Sequence, residues 1–431
     1  MTDLQKRIYT DESLYERYEQ VFSKDYFKKV DEHVDTIENA IVLPLKKHFN
    51  QDGKGYFLGG IVDTEGKFFK PSAHIHNLAS EVGSLINGYA VDIASVETEN
   101  KEVVYGGLLY KHFGHSLIES VSRLWYVIKY GASSLPIVFV CENPDEIPSQ
   151  IIDFFELAGL RKEQLIFIDK PKQFRKIIVP CQSSVCSCYY SDLFIIPYRA
   201  AVANIPAKPY ERIYLSRRKF RSGFTIIGED KLEKAFKENG FKIIYPERLS
   251  LREQLSYVKG AKEIASVMGT ATHLSLFSDK GTKNIVLERS EDIIYEQILI
   301  NQAAGLDWYS LCGNLNYLPA GHEFSPILLG FTDHVAEFFK DRGFTYKEKD
   351  VNRISDRAVR KFNRAFFARY SSNKYNNVLA GMDPVYVHRI KKCCSTAFLS
   401  LRQHLFMKRT DGLFRIYTLF GFSFKIRRRK K

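Results

Sequence analysis

"EDKLEKAFKENGFKIIYPERLSLREQLSYVKGAKEIASV", residues 229–267, decides the fold class. "EDKLEKAFKENG" is a helix closed by Gly240, and "FKIIYP" is a short apolar strand. "SLREQLSYVKGA" is a second helix, with Ser250 and Glu253 at capping-box spacing, and "EIASV" is the next strand. Upstream, "RIYLSRR" adds a strand. Downstream, "THLSLFS" reads as a short helix and "NIVLE" as another strand. Strand–helix alternation of this kind winds a parallel sheet with helices on both faces.

Towards the N-terminus the pattern recurs less regularly. Strands are expected from "AIVLPL" at Ala40 and on either side of a turn at Asp63 to Gly66. "EVVYGGLLY" (Glu102 to Tyr110) is a further strand. Leu117, Val121, Leu124, Trp125 and Ile128 then recur at helical spacing. "LPIVFVC" is a buried strand, followed by a helix over Ile151 to Ala158 and the strand "LIFI". The 431 residues suit two domains and an appendage. The expected division is a helical segment over 1–39, an α/β domain over 40–204, a Rossmann-like domain over 205–330 and a basic helical tail over 331–431.

The net charge of +13 is unevenly placed. Phe331 to Lys431 holds 24 Lys/Arg against 8 Asp/Glu, leaving 39 basic and 42 acidic residues in the first 330. A nucleic-acid enzyme surrounds its site with cations, so this distribution argues against nucleic acid as a partner. A confined basic tail reads as a surface-docking element. It ends "GLFRIYTLFGFSFKIRRRKK", in which apolar side chains suit an acyl boundary and Arg427 to Lys431 suit anionic head groups. The alternative is that the aromatics pack on the second domain. The N-terminus lacks the apolar core of a secretory signal, and no run is long enough for a membrane span. The seven cysteines include Cys186, Cys188, Cys393 and Cys394 but show no zinc spacing, so thiols in a reducing cytosol and no metal are expected.

Three stretches are candidates for chemistry. In "YKHFGHSLIESVSRLW", His112 and His115 flank Gly114 at a strand–helix junction, and Glu119 lies one turn beyond His115. Either imidazole can take a proton from a hydroxyl, and Glu119 can orient His115. A purely structural role for both histidines is the alternative. In "YLSRRKFRSG", Arg217, Arg218 and Arg221 follow a buried-looking strand, where ligands of open parallel sheets bind. They suit a diphosphate or, alternatively, form a solvated loop. In "VMGTATHLSLF", Gly269 and Thr270 open a short helix whose free N–H groups suit an anion. Glu288 then ends "NIVLE", placed either to hold ribose hydroxyls or as a surface charge.

In this order, "HFGHSLIE", "IYLSRRKFRSG", "LSLREQL" and "GTATHLSLF…NIVLE" resemble glycosyltransferase family 61, the DUF563-type capsular polysaccharide biosynthesis proteins, over roughly residues 40–295. The resemblance implies a GT-B fold, two Rossmann-like domains facing across a cleft, and inverting transfer from a nucleotide-sugar without an obligatory metal or other cofactor. By position it places the family's histidine motif on His112 and His115, its arginine motif on Arg217, Arg218 and Arg221, and its small-residue turn on Gly269 to Thr272, with His273 following. Here the turn has Ala271 and Thr272 before its histidine, where many members have His-Gly-Ala. The expected protein is a bacterial transferase, peripheral on the inner face of the plasma membrane, acting on a glycan or lipid-linked acceptor. A non-catalytic nucleotide- or glycan-binding protein on the same scaffold is the alternative.

Overall fold

The structure is a computed structural model that describes residues 4, 6–50, 53–132, 134–220, 225–291, 293–316 and 326–370, together with three strands near the C-terminus. Two large sheets organise it. The second, in sequence, is wholly parallel, with strands Arg212–Leu215, Lys242–Ile244, Glu263–Val267, Lys283–Glu288 and Asp307–Cys312. Numbered along the chain, these five lie in the order 2-1-3-4-5. The order reverses between Arg212–Leu215 and Glu263–Val267, which makes their carboxyl ends the crevice where doubly wound sheets bind ligands.

Both faces of this sheet are covered, which explains its near-continuous apolar strands. Tyr214, Ala265, Val267, Ile285 and Leu287 pack beneath helices Glu229–Glu238 and Asp333–Asp341. Ile213, Leu215 and Ile264 face the opposite way, onto helix Leu251–Gly260. Ser250 caps that helix reciprocally with Glu253, as its spacing predicts.

The first sheet departs from the Rossmann-like expectation. Its order is Leu85–Asn87, Gly55–Val62, Val34–Phe49, Lys172–Pro180, Glu97–Leu108, Ile137–Val140 and Leu165–Ile168. Val34–Phe49 is antiparallel to both its neighbours, whereas Glu97–Leu108 is parallel to both of its own. The strand Lys172–Pro180, unpredicted because its charged residues hide its alternation, sits at the change of direction. One face of this sheet shares a continuous core with the second sheet, through Phe139, Phe154, Tyr198 and Phe277. The two halves are therefore packed together through buried aromatics and do not meet only at a polar cleft.

Both termini differ from expectation. The segment 1–39 is not purely helical: Ile8–Tyr9 pairs with Asp307–Cys312 at the edge of the second sheet, and helix Glu12–Phe22 lays Phe22 on Trp308. At the other end, helix Asp333–Asp341 belongs to the core of the second half, and helix Asp356–Tyr370 follows it. The tail is not helical throughout. Met407–Asp411, Phe414–Leu419 and Phe422–Arg427 form a three-stranded antiparallel sheet, for which alternating residues such as Phe422, Phe424 and Ile426 are suited. The terminal basic residues 428–431 and the pair Cys393 and Cys394 lie outside the described residues. Among the described residues, no helix is long and apolar enough to cross a membrane.

Candidate active site

The first wall of the site begins where strand Glu97–Leu108 ends. The helix that follows is irregular, with an α turn at Phe113–His115, a π turn at Ser116–Ser120 and α again at Trp125–Lys129. The Leu117–Ile128 spacing predicts one smooth helix. A π turn breaks that period, and such turns gather at functional sites. This one carries Glu119 into the interior, where it is 3% exposed.

Glu119 holds two imidazoles, one on each oxygen. Its Oε1 is 2.6 Å from His115 Nδ1 and its Oε2 is 2.6 Å from His76 Nδ1. His74 Nε2 stands 3.8 Å from Oε2, beyond hydrogen-bond reach. Burial works to raise the carboxyl's pKa, but His115, His74 and His76 outweigh it and hold it well below the ordinary carboxylate value. An ionised carboxylate only accepts, so both Nδ1 atoms carry protons and each Nε2 is left as an acceptor. The side chain of His115 is 46% exposed and that of His76 is 26% exposed, so His115 presents the more open base. Tyr110 packs against His74, His76 and His115 and donates its own hydroxyl to Gly83 O at 2.8 Å.

The loop bearing His74 and His76 is fixed from beneath. Buried Arg123 donates to the carbonyls of Pro71 (3.1 Å), Ala73 (2.5 Å) and Pro180. Gln182 Oε1 accepts the Ile75 N–H at 2.8 Å, which turns its amide nitrogen to His74 Nδ1 at 3.4 Å. His74 therefore carries its proton on Nε2, facing Glu119, and burial lowers its pKa. His112 lies at the mouth, one turn before Ser116. Its ring is 5.3 Å from that of His115, and it lines a pocket with Leu45, Phe57, Tyr110, Cys141 and Asn143.

The second wall is the topological switch point. Arg217 and Gly269 each sit two residues beyond one of the two strands that flank it. Gly269 has φ +143°, and a Cβ there would lie 1.6 Å from Arg217 Nη1, so the guanidinium lies directly across the glycine. Arg217 Nη1 approaches Met268 O at 3.5 Å, and its backbone N–H donates to Glu229 Oε1 at 2.9 Å. Burial lowers the Arg217 pKa to about 10, with the charge of Arg289 acting in the same direction. Arg217 thus stays protonated at neutral pH, with a second arginine close enough to feel. Guanidinium groups that follow the carboxyl ends of parallel strands suit a diphosphate.

The other expected donor-side residues divide. Arg218 turns away into an ion pair with Glu233, and Arg221 lies outside the described residues. His273 is buried, with Nδ1 3.0 Å from Gln297 Oε1, and burial lowers its pKa to about 4. It is neutral, and it feels the charges of both His115 and Arg217. Glu288 is buried too and accepts from Ser310 Oγ at 2.9 Å. Burial raises its pKa to about 7. The expected helix start is a short 3-10 helix, Thr272–Phe277. Its first N–H groups, those of Thr272, His273 and Leu274, are already bound by the carbonyls of Gly269, Thr270 and Ala271. Any N–H cradle therefore falls on Gly269, Thr270 and Ala271.

The walls meet at two small residues. A Cβ on Gly114 would lie 2.9 Å from Thr270 Oγ1, so the His115 turn packs directly on the Gly269–Thr270 turn. Residues 113–285 match the family model for Glycosyltransferase 61. This match supports assignment to glycosyltransferase family 61. No curated protein matches the chain. The same match supports a glycosyltransferase. The matched stretch contains His115, Glu119, Arg217, Gly269 and His273, and stops short of Glu288 and Arg289.

His74, His76 and Arg289 were not legible as site residues. "SAHIHNL" places two histidines two apart in a loop, a signal that no periodicity interprets, and Arg289 follows a strand end with no basic neighbours to mark it.

Proposed function

We propose that this glycosyltransferase is an inverting enzyme of GT-B architecture. It moves a sugar from a nucleotide-sugar to a hydroxyl of a surface glycan or lipid-linked acceptor, at the inner face of a bacterial membrane. The observation that carries this is the contact of Gly114 with Thr270, which sets a carboxylate-held histidine against an arginine-covered turn. His115 Nε2 takes the proton of the acceptor hydroxyl, while Glu119 stabilises the imidazolium that forms. The acceptor oxygen attacks the anomeric carbon opposite the diphosphate, forming one C–O bond as the other breaks, so configuration inverts. The charge left on the nucleoside diphosphate falls to Arg217, Arg289 and the N–H groups of the Gly269 turn. These cations take the place of a metal on the diphosphate. Glu288, at the end of the fourth strand, offers a carboxyl to a nucleoside sugar hydroxyl. The excess of Lys and Arg after residue 331 supports docking on an anionic membrane, where a lipid-linked acceptor would lie.

The test is a thermal-shift screen of nucleosides, nucleoside diphosphates and nucleotide-sugars, followed by nucleotide release with and without acceptor. A ligand at 100 times its Kd stabilises by about 2.7 kcal/mol. At least one nucleoside diphosphate should raise Tm where its nucleoside does not, and its sugar ester should be turned over. Absence of any diphosphate-dependent shift across the panel would refute the donor assignment.

A further inference from the structure

The same carboxylate has a second neighbourhood on its inner side. Cys186 sits in the turn of the hairpin formed by Ser184–Val185 and Tyr189–Tyr190, buried beneath the histidine loop. A ring nitrogen of His76, a carboxylate oxygen of Glu119 and Cys186 Sγ all lie within 4.8 Å of one another. These three donors come from three separate pieces of chain: the 74–76 loop, the π turn and the hairpin.

We infer that His76, Glu119 and Cys186 form a binding site for a zinc-like divalent cation. The donor set chooses the metal class. One thiolate, one imidazole and one carboxylate suit a borderline-soft ion, and an all-oxygen set suited to magnesium or calcium is not what is gathered here. The geometry is close. Bonds of about 2.0–2.3 Å in a tetrahedron put neighbouring donors roughly 3.3–3.8 Å apart. The His76–Glu119 pair at 2.6 Å opens slightly, and the widest separation, up to 4.8 Å, closes by about an ångström.

Charge supports the same assignment. Glu119 is a buried carboxylate whose ion-pair partners among the described residues are all imidazoles. A dication matched by this carboxylate and one thiolate leaves a neutral buried centre. Proton balance is simple. The Cys186 thiol, now 3.4 Å from Glu296 Oε1, loses its proton to solvent as the metal–sulfur bond forms. Ser187 Oγ continues to satisfy Glu296. The proton between His76 Nδ1 and Glu119 is replaced by the ion, and His76 carries its proton on Nε2 instead.

Supporting contacts are already in place. Glu119 Oε1 keeps its bond from His115, and the Nε2–H of His74 faces Oε2 without a partner of its own. Donors that orient a ligating carboxylate are a regular accompaniment of metal sites. The ion would thus staple three segments behind the base and fix the carboxylate that aims it. Its test reads metal binding and not nucleotide binding, so this inference survives or fails independently of the donor assignment.

The experiment is metal binding by the full chain. Protein stripped with chelator, then loaded with Co2+ or Zn2+ and desalted, should retain one equivalent. The Co2+ form should show sulfur-to-cobalt charge-transfer absorption together with tetrahedral visible bands. Cys186→Ser should abolish the charge-transfer band, and His76→Ala should lower occupancy, with the far-UV spectrum of each stripped variant matching that of the stripped parent. Zinc should raise the Tm of the parent and leave Cys186→Ser unmoved. Retention of no stoichiometric metal, or a Co2+ spectrum that is unchanged in Cys186→Ser, would overturn the site. Should Cys186→Ser fail to fold, His76→Ala, in a partly exposed position, decides the matter by occupancy alone.

Discussion

Replacing Gly269 with alanine tests the donor wall with a single methyl group. The new Cβ would lie 1.6 Å from Arg217 Nη1 and 2.8 Å from Cζ. An ordinary contact is about 3.5 Å, so the guanidinium must retreat by roughly 2 Å. Its backbone N–H is pinned to Glu229, so the side chain has to swing off the turn. A phosphate oxygen that depends on it then loses a charge-assisted hydrogen bond, worth about 1.5–3 kcal/mol. That is about 10- to 150-fold in Kd for a nucleoside diphosphate. The matching nucleoside should bind as before. Alanine at φ +143° adds backbone strain of about 1–3 kcal/mol, which appears in stability instead of affinity. Calorimetric titration with both ligands, and urea unfolding of both proteins, separate the two effects. Arg217→Ala should weaken diphosphate binding similarly, and the double variant should lose little more than either single one, because both remove the same contact. A folded Gly269→Ala protein that binds the diphosphate within twofold of the parent would refute the placement of Arg217.

Three further outcomes are expected. His115→Ala should lose about 10²–10⁴-fold in turnover with diphosphate affinity intact, while His112→Ala retains most activity; the reverse pattern would move the base to His112. Burial raises the Glu288 pKa from 4.5 to about 7, so the folded form keeps a proton that the unfolded chain has lost. This contribution to stability is complete below the unfolded value and disappears as pH rises through about 7. Glu288→Gln should therefore remove a fall of up to about 1.4 kcal/mol per pH unit across that window in urea unfolding, and an unchanged slope would contradict it. Finally, neutralising Arg427 to Lys431 should release the protein from anionic vesicles at low salt, since each charge contributes about 1 kcal/mol at such a surface. Equal co-sedimentation of parent and variant would remove the tail from membrane docking.

The parallel sheet was readable because each of its elements announces itself locally. The capping box at Ser250, Gly240 after a helix and the short apolar strands between them need no distant partner to be interpreted. Arg217 and Gly269 were each legible as residues just beyond a strand, and the strand order of the structure is what places those ends side by side. The histidine hub was only half visible. His115 and Glu119 are four apart on one turn, whereas His76 reaches Glu119 across 43 positions through a loop that owes its shape to buried Arg123. The first sheet's mixed directions were hidden for a related reason. Antiparallel and parallel pairing leave the same alternation in a strand, and only the long connections decide between them.

The strand Ile8–Tyr9 has a consequence for how the protein is made. Ile8 pairs with Ser310, so the strand Ile8–Tyr9 must wait for the last strand of the parallel sheet along the chain. At about 5–20 residues per second, some 300 residues of intervening synthesis take roughly 15–60 s. The early strand therefore stays unpaired while the rest of the parallel sheet is made. The sheet's edge stays uncapped until the opening segment returns, with Tyr18 and Phe22 following to seal against Trp308. An N-terminal fusion partner that folds early and hinders that return would leave the 307–312 edge open to pairing between chains, whereas the same partner at the C-terminus would not delay closure.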